Sequence, residues 1–111
     1  MPDQSAEAPV LDLLAKMTVA SAEATNLDDQ TMMLVRIAAL VAVGAQPASY
    51  LLNLGVAEEA GLDVQDIRDT LLAVAPIVGT ARTAAATGNI ARALGVALEV
   101  ADELAATESR R

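Results

Sequence analysis

From Val10 to about Thr25, the apolar positions Val10, Leu11, Leu13, Leu14, Met17 and Val19 or Ala20 recur at helical spacing. Asp12, Lys16 and Glu23 fall mostly on the other side. Asn26 ends this helix and is placed to cap the next, with Asp28 and Asp29 where a first turn favours negative charge. Met32–Val43 carries a single charge, Arg36, among apolar residues, the pattern of a central helix buried on most sides. Gly44 terminates it. Pro47 opens a third helix at a position where the missing N–H costs nothing, and that helix stops at Gly61.

Asp63 starts a fourth helix, with Asp66 in its first turn and Leu71, Leu72, Val74 and Ile77 on its apolar face. Pro76 kinks or ends it, and Gly79-Thr80 is a break and a cap. A long fifth helix is predicted from about Ala81 to Ala105. Thr80, Ala84 and Gly88 recur there at four-residue steps, as do Ala91 and Gly95, a pattern that lets another helix approach closely. No stretch alternates with the period of a strand. The expected organisation is an all-α chain of about five helices: a loose polar arm over residues 1–9, one helical domain over 10–106, and a frayed tail over 107–111.

Composition changes this picture in one respect. Hydrophobic residues make up 54% of the chain and the mean hydropathy is +0.42, yet Tyr50 is the one aromatic residue. So much aliphatic surface is hard to hide inside a chain of 111 residues. Burial between subunits is the economical answer, and a homo-oligomer is expected. A membrane span is not. The longest uncharged run, Ile37 to Ala57, is interrupted by the loop signal Gly44-Ala45-Gln46-Pro47, whose backbone lipid would leave unsatisfied. The first residues lack the basic stretch of a signal peptide, so a cytoplasmic location is expected.

Charge and missing residue types narrow the chemistry. A net charge of −8 disfavours nucleic acid and anionic membrane as partners. With no cysteine there is no thiolate nucleophile, disulfide or Cys-ligated zinc, and with no histidine the usual general base and metal ligand are missing. No cofactor and no metal site is expected.

The segments Arg36–Gly44, Gly61–Ile67 and Leu71–Gly79, in that order and spacing, resemble the carboxymuconolactone decarboxylase family. That family shares a superfamily with the alkylhydroperoxidase D-like proteins. The likeness covers about residues 28–100. It implies an alkylhydroperoxidase D-like helical fold and assembly into trimers or hexamers. It also implies chemistry from which this chain departs. Peroxidatic relatives carry a Glu, a Cys-x-x-Cys pair and a His. Counting back from Gly61, these positions fall on Leu34, Gln46, Ser49 and Asn53. Without thiols there is no sulfenic intermediate and no resolving disulfide. Decarboxylase relatives keep a His near the same place, and an Asn cannot exchange a proton near neutral pH.

Gln46, Ser49, Tyr50 and Asn53 nonetheless form one stripe of the third helix, by spacing alone. The stripe is either a solvated face or the lining of a pocket, as the resemblance implies. Arg36 is either paired with Glu58 or Glu59, or faces that pocket and grips a carboxylate, with Arg82 as a second candidate. The acidic residues around Gly61 read as a solvated surface with helix-start carboxylates. Two functions remain open. One is an oligomeric small-molecule-binding or structural module, for which a small organic acid is the possible ligand. The other is an enzyme acting on a small organic acid or lactone through acidic and amide residues.

Overall fold

The computed structural model describes the backbone of residues 4–109 and the side-chain surroundings of residues 8–95 and Ala106. Five α-helices follow one another: α1 (Gln4–Ala24), α2 (Asp29–Val43), α3 (Pro47–Glu59), α4 (Val64–Val78) and α5 (Thr80–Ser109). No strand occurs among the described residues. None of the helices is long and apolar enough to cross a membrane.

Local chemistry sets the boundaries. Asp28 caps α2, its Oδ1 accepting from the Thr31 N–H at 2.7 Å. Asn26 was the sequence candidate for that cap. The cap moves to Asp28 because Thr25 Oγ1 accepts from the Leu27 N–H at 3.2 Å and closes a turn of its own first. Gly44 ends α2 at φ 71°, and the Ala45 N–H reaches back to the Leu40 carbonyl at 3.0 Å. Asp63 and Asp66 cap α4 reciprocally, each side chain accepting from the other's backbone N–H at 2.9 Å. Pro76 neither breaks nor ends α4. It lies in the last turn, where losing one backbone bond costs little, and α4 continues to Val78.

The N-terminal boundary differs from expectation. α1 begins at Gln4, and Pro9 lies inside it rather than ahead of it. A proline that early removes only the bond to the carbonyl four residues back, and both Ala8 and Pro9 are exposed. At the other end α5 continues to Ser109, and residues 110–111 lie outside the described ones.

The core is built by α2 to α5. α2 packs against α3, α4 and α5, and α5 packs against α3 and α4. Met33, Ile37 and Val41 of α2, one turn apart, meet Tyr50 and Ala57 of α3, Ile67 of α4, and Ala86, Ile90 and Ala93 of α5. Leu62, in the α3–α4 turn, completes it. That turn is fastened to α2 by Gln30, whose Nε2 donates to the Ala60 carbonyl at 3.0 Å. A Cβ on Gly61 would lie 2.9 Å from that same nitrogen and displace the Gln30 amide, and the glycine's φ of 94° is what demands a glycine. Gly88 and Gly95 have no such neighbour: among the described residues a Cβ on either meets nothing within 4 Å, so no neighbouring helix packs closely on these two glycines.

α1 stands apart. Among the described residues it gives nothing to the core, and it meets the rest of the chain where Arg36 of α2 reaches Thr18 and Ser21. The radius of gyration is 16.1 Å, against about 13 Å for a compact chain of this length.

Candidate functional site

The six residues singled out by the sequence do not converge. Tyr50 is fully buried, at 0% exposure, on the face of α3 turned to the core. Its hydroxyl finds no hydrogen-bond partner among the described residues. Burial pushes the phenol above its ordinary pKa, because the charged form would be poorly solvated there. Asn53 is half-buried, and its Nδ2 donates to the Ser49 carbonyl of its own helix at 2.8 Å. Ser49 is half-buried too. Gln46 is exposed at the start of α3 and makes no side-chain cap. The stripe is therefore not uniformly a solvated face, since its centre lies in the core.

The two arginines hold helices in place. Arg36 is not paired with Glu58 or Glu59, both of which are exposed. Its Nη2 donates instead to the Thr18 carbonyl at 3.2 Å and to Ser21 Oγ at 3.3 Å, both on α1. Sequence proximity to an acidic patch did not fix that pairing; the passage of α1 beside α2 did. Arg82 donates through Nη1 to the Ala42 carbonyl, where the end of α2 concentrates partial negative charge. Asn89, one face along α5, donates to the Ala45 carbonyl at 3.2 Å. Together these two side chains fix the α2–α3 turn against α5.

A concavity lies elsewhere, between α3, α4 and α5. It has a volume of about 570 Å³ and is walled mainly by Leu54, Leu62, Ile67, Leu71, Ile90 and Leu94. Glu58, Asp63, Arg68 and Thr87 supply its polar edge. None of the six sequence candidates lines it. Sequence reasoning missed this groove, although one signal was present. Ile67 and Leu71 stand one turn apart on α4 with Arg68 beside them, an apolar ridge flanked by a cation. The Asp63 and Asp66 carboxylates near it are engaged in capping, and Asp69 accepts from Gln65 Nε2 at 3.0 Å. The hydroxyls of Thr70, Thr83 and Thr87 donate to carbonyls one turn back, at 2.9, 2.8 and 2.9 Å.

Compared with known proteins, residues 8–90 match the model of the carboxymuconolactone decarboxylase family, well over half of the chain. The chain belongs to the carboxymuconolactone decarboxylase family. No curated protein and no solved structure matches it. The family match begins at residue 8, ahead of the likeness read over about residues 28–100. It therefore takes in most of α1, the helix that stands off the body. The whole chain has neither cysteine nor histidine. No side chain present can form the thiolate on which peroxide reduction by the cysteine route depends.

Proposed function

We propose that this carboxymuconolactone decarboxylase-like chain works as a homo-oligomeric module without thiol peroxidase chemistry, its role structural or binding rather than redox. One observation carries the reading. The chain exposes 8077 Å², whereas a folded monomer of 11.4 kDa exposes about 5,800 Å². Much of the excess is aliphatic: Val10, Leu11, Leu13 and Met17 on α1, Leu52 at 75% on α3, and Ile77 at 89% on α4. Exposed aliphatic surface on this scale is what association buries. Three or six chains is the stoichiometry that fits the family likeness, and a cytoplasmic setting belongs to the same reading.

The enzyme reading has less support. An amide in place of the family's His would have to orient a small organic acid or lactone, but Asn53 is engaged with its own helix. The nearest carboxylates to a cavity, Glu58 and Asp63, line the α3–α5 groove, which Asn53 does not. Light scattering at micromolar protein tests the proposal. A mass several times 11.4 kDa is expected, with no hydroperoxide turnover above buffer in the presence of a dithiol. A stable folded monomer, or saturable peroxide reduction, overturns it. Restoring the titratable group with Asn53→His tests the enzyme reading: a clear gain in lactone or keto-acid turnover would favour it.

A further inference from the structure

Two unpartnered apolar surfaces lie on this one chain. The first is a ridge. Val10, Leu13, Leu14 and Met17 share one side of α1 by helical spacing, each between 51% and 58% exposed, with Asp12, Lys16 and Glu23 opposite. The second is the groove between α3, α4 and α5, about 570 Å³, walled by Leu54, Ile67, Leu71, Ile90 and Leu94. Their lengths agree. Val10 to Met17 is two helical turns, and so is Thr87 to Leu94 along the α5 wall, each about 10 Å.

The ridge does not belong in its own chain's groove. Arg36 holds the Thr18–Ser21 part of α1, and it projects about 100° round α2 from the core-facing Ile37. α2 contributes no wall to the groove. The turn from α1 to α2 is short and closed by Thr25 and Asp28, so α1 would have to break both the turn and the Arg36 contacts to fold back.

We propose that α1 of one copy lies in the α3–α4–α5 groove of a second copy, with Val10, Leu13, Leu14 and Met17 as its anchors. Helix-in-groove docking uses this anchor spacing. The area agrees: the chain exposes 8077 Å², roughly 2,300 Å² more than a monomer of its mass. A standard interface needs about 800 Å² from each partner. Because ridge and groove are different surfaces, the contact closes either as a reciprocal pair or as a ring. This inference rests on the oligomeric reading above, and names the surfaces that build the oligomer.

The absence of cysteine makes the test clean. Leu14→Cys and Thr87→Cys are made as separate variants, mixed, and treated with a short bis-maleimide; both positions are exposed. A covalent mixed dimer is expected, with Leu14→Cys plus Leu72→Cys as the control, since Leu72 is exposed on α4 outside the groove. Equal linking to Leu72 overturns the proposal. So does linking that occurs only within one chain, in a double Leu14→Cys/Thr87→Cys variant at nanomolar protein. An intact oligomer with no link to Thr87→Cys overturns the docking site and leaves the oligomeric reading standing, whereas a monomer overturns both. Met17→Asp supplies a second readout: the scattering mass falls toward one chain while helical circular dichroism persists. An unchanged mass, or a small organic acid found in the groove by native mass spectrometry, refutes the proposal.

Discussion

Replacing Tyr50 with phenylalanine should stabilise the protein. The ring is fully buried in the core formed by α2, α3 and α5, so Phe keeps its packing and loses only the hydroxyl. That hydroxyl has no partner among the described residues, and an unsatisfied buried polar group costs about 1–3 kcal/mol. The void left by one oxygen subtracts up to about 1 kcal/mol. The net gain is about 1 kcal/mol, equivalent to a Tm rise of about 4–8 °C in a domain of this size. Urea denaturation followed by far-UV circular dichroism, with wild type at the same protein concentration, reads it directly. Tyr50→Ala is the companion. Deleting the ring opens a cavity and should cost about 3–5 kcal/mol. If Tyr50→Phe instead lost about 1 kcal/mol or more, the hydroxyl would be hydrogen-bonded in solution, and the reading of an unpaired phenol would be wrong.

Three further outcomes follow from the same geometry. Tyr50 is the one aromatic residue, so alkaline absorbance titration reports it alone: its burial raises the pKa, the neutral phenol is favoured in the folded state, and stability falls as pH rises past the ordinary tyrosine value of about 10. Ionisation at an unshifted value in folded protein would contradict the burial. Asp28 is held below its ordinary pKa first by the Thr31 backbone N–H and then by the Thr31 side chain. Its contribution is therefore present at neutral pH and lost as pH falls through that depressed value; thermal melts of Asp28→Ala should fall below wild type at pH 7 and converge with it in acid, and a constant gap would refute the cap. Gly44→Ala meets no neighbouring atom, yet must adopt φ 71°, so denaturation should show a loss of about 1–2 kcal/mol from backbone strain alone.

What the sequence made legible tracks where charges fall. α2 and α4 were readable because Asp28, Asp63 and Asp66 mark their starts, and because Met33, Ile37 and Val41 keep one period through α2. The bounds of α3 were equally legible from Pro47 and Gly61, but its orientation was not. Pro47 to Ala57 carries no charge to phase it, and the polar-looking stripe holds a fully buried residue, Tyr50, while Leu52 faces out. Tyrosine misleads here because its ring is apolar and only its tip is polar. The partners of Arg36 were hidden for a different reason: Thr18 and Ser21 lie a helix away, and no local pattern encodes the angle at which α1 passes α2. α1 carries the sharpest lesson. Its stripe of Val10, Leu13, Leu14 and Met17 is as regular as any in the chain, and that spacing reads as a helix with one apolar face. None of it enters the core. An amphipathic period states that a face seeks an apolar surface, and it is silent on whose surface that is. In a chain that is 54% hydrophobic, with an apolar groove left open between α3, α4 and α5, the same stripe is what the proposed docking between copies would bury.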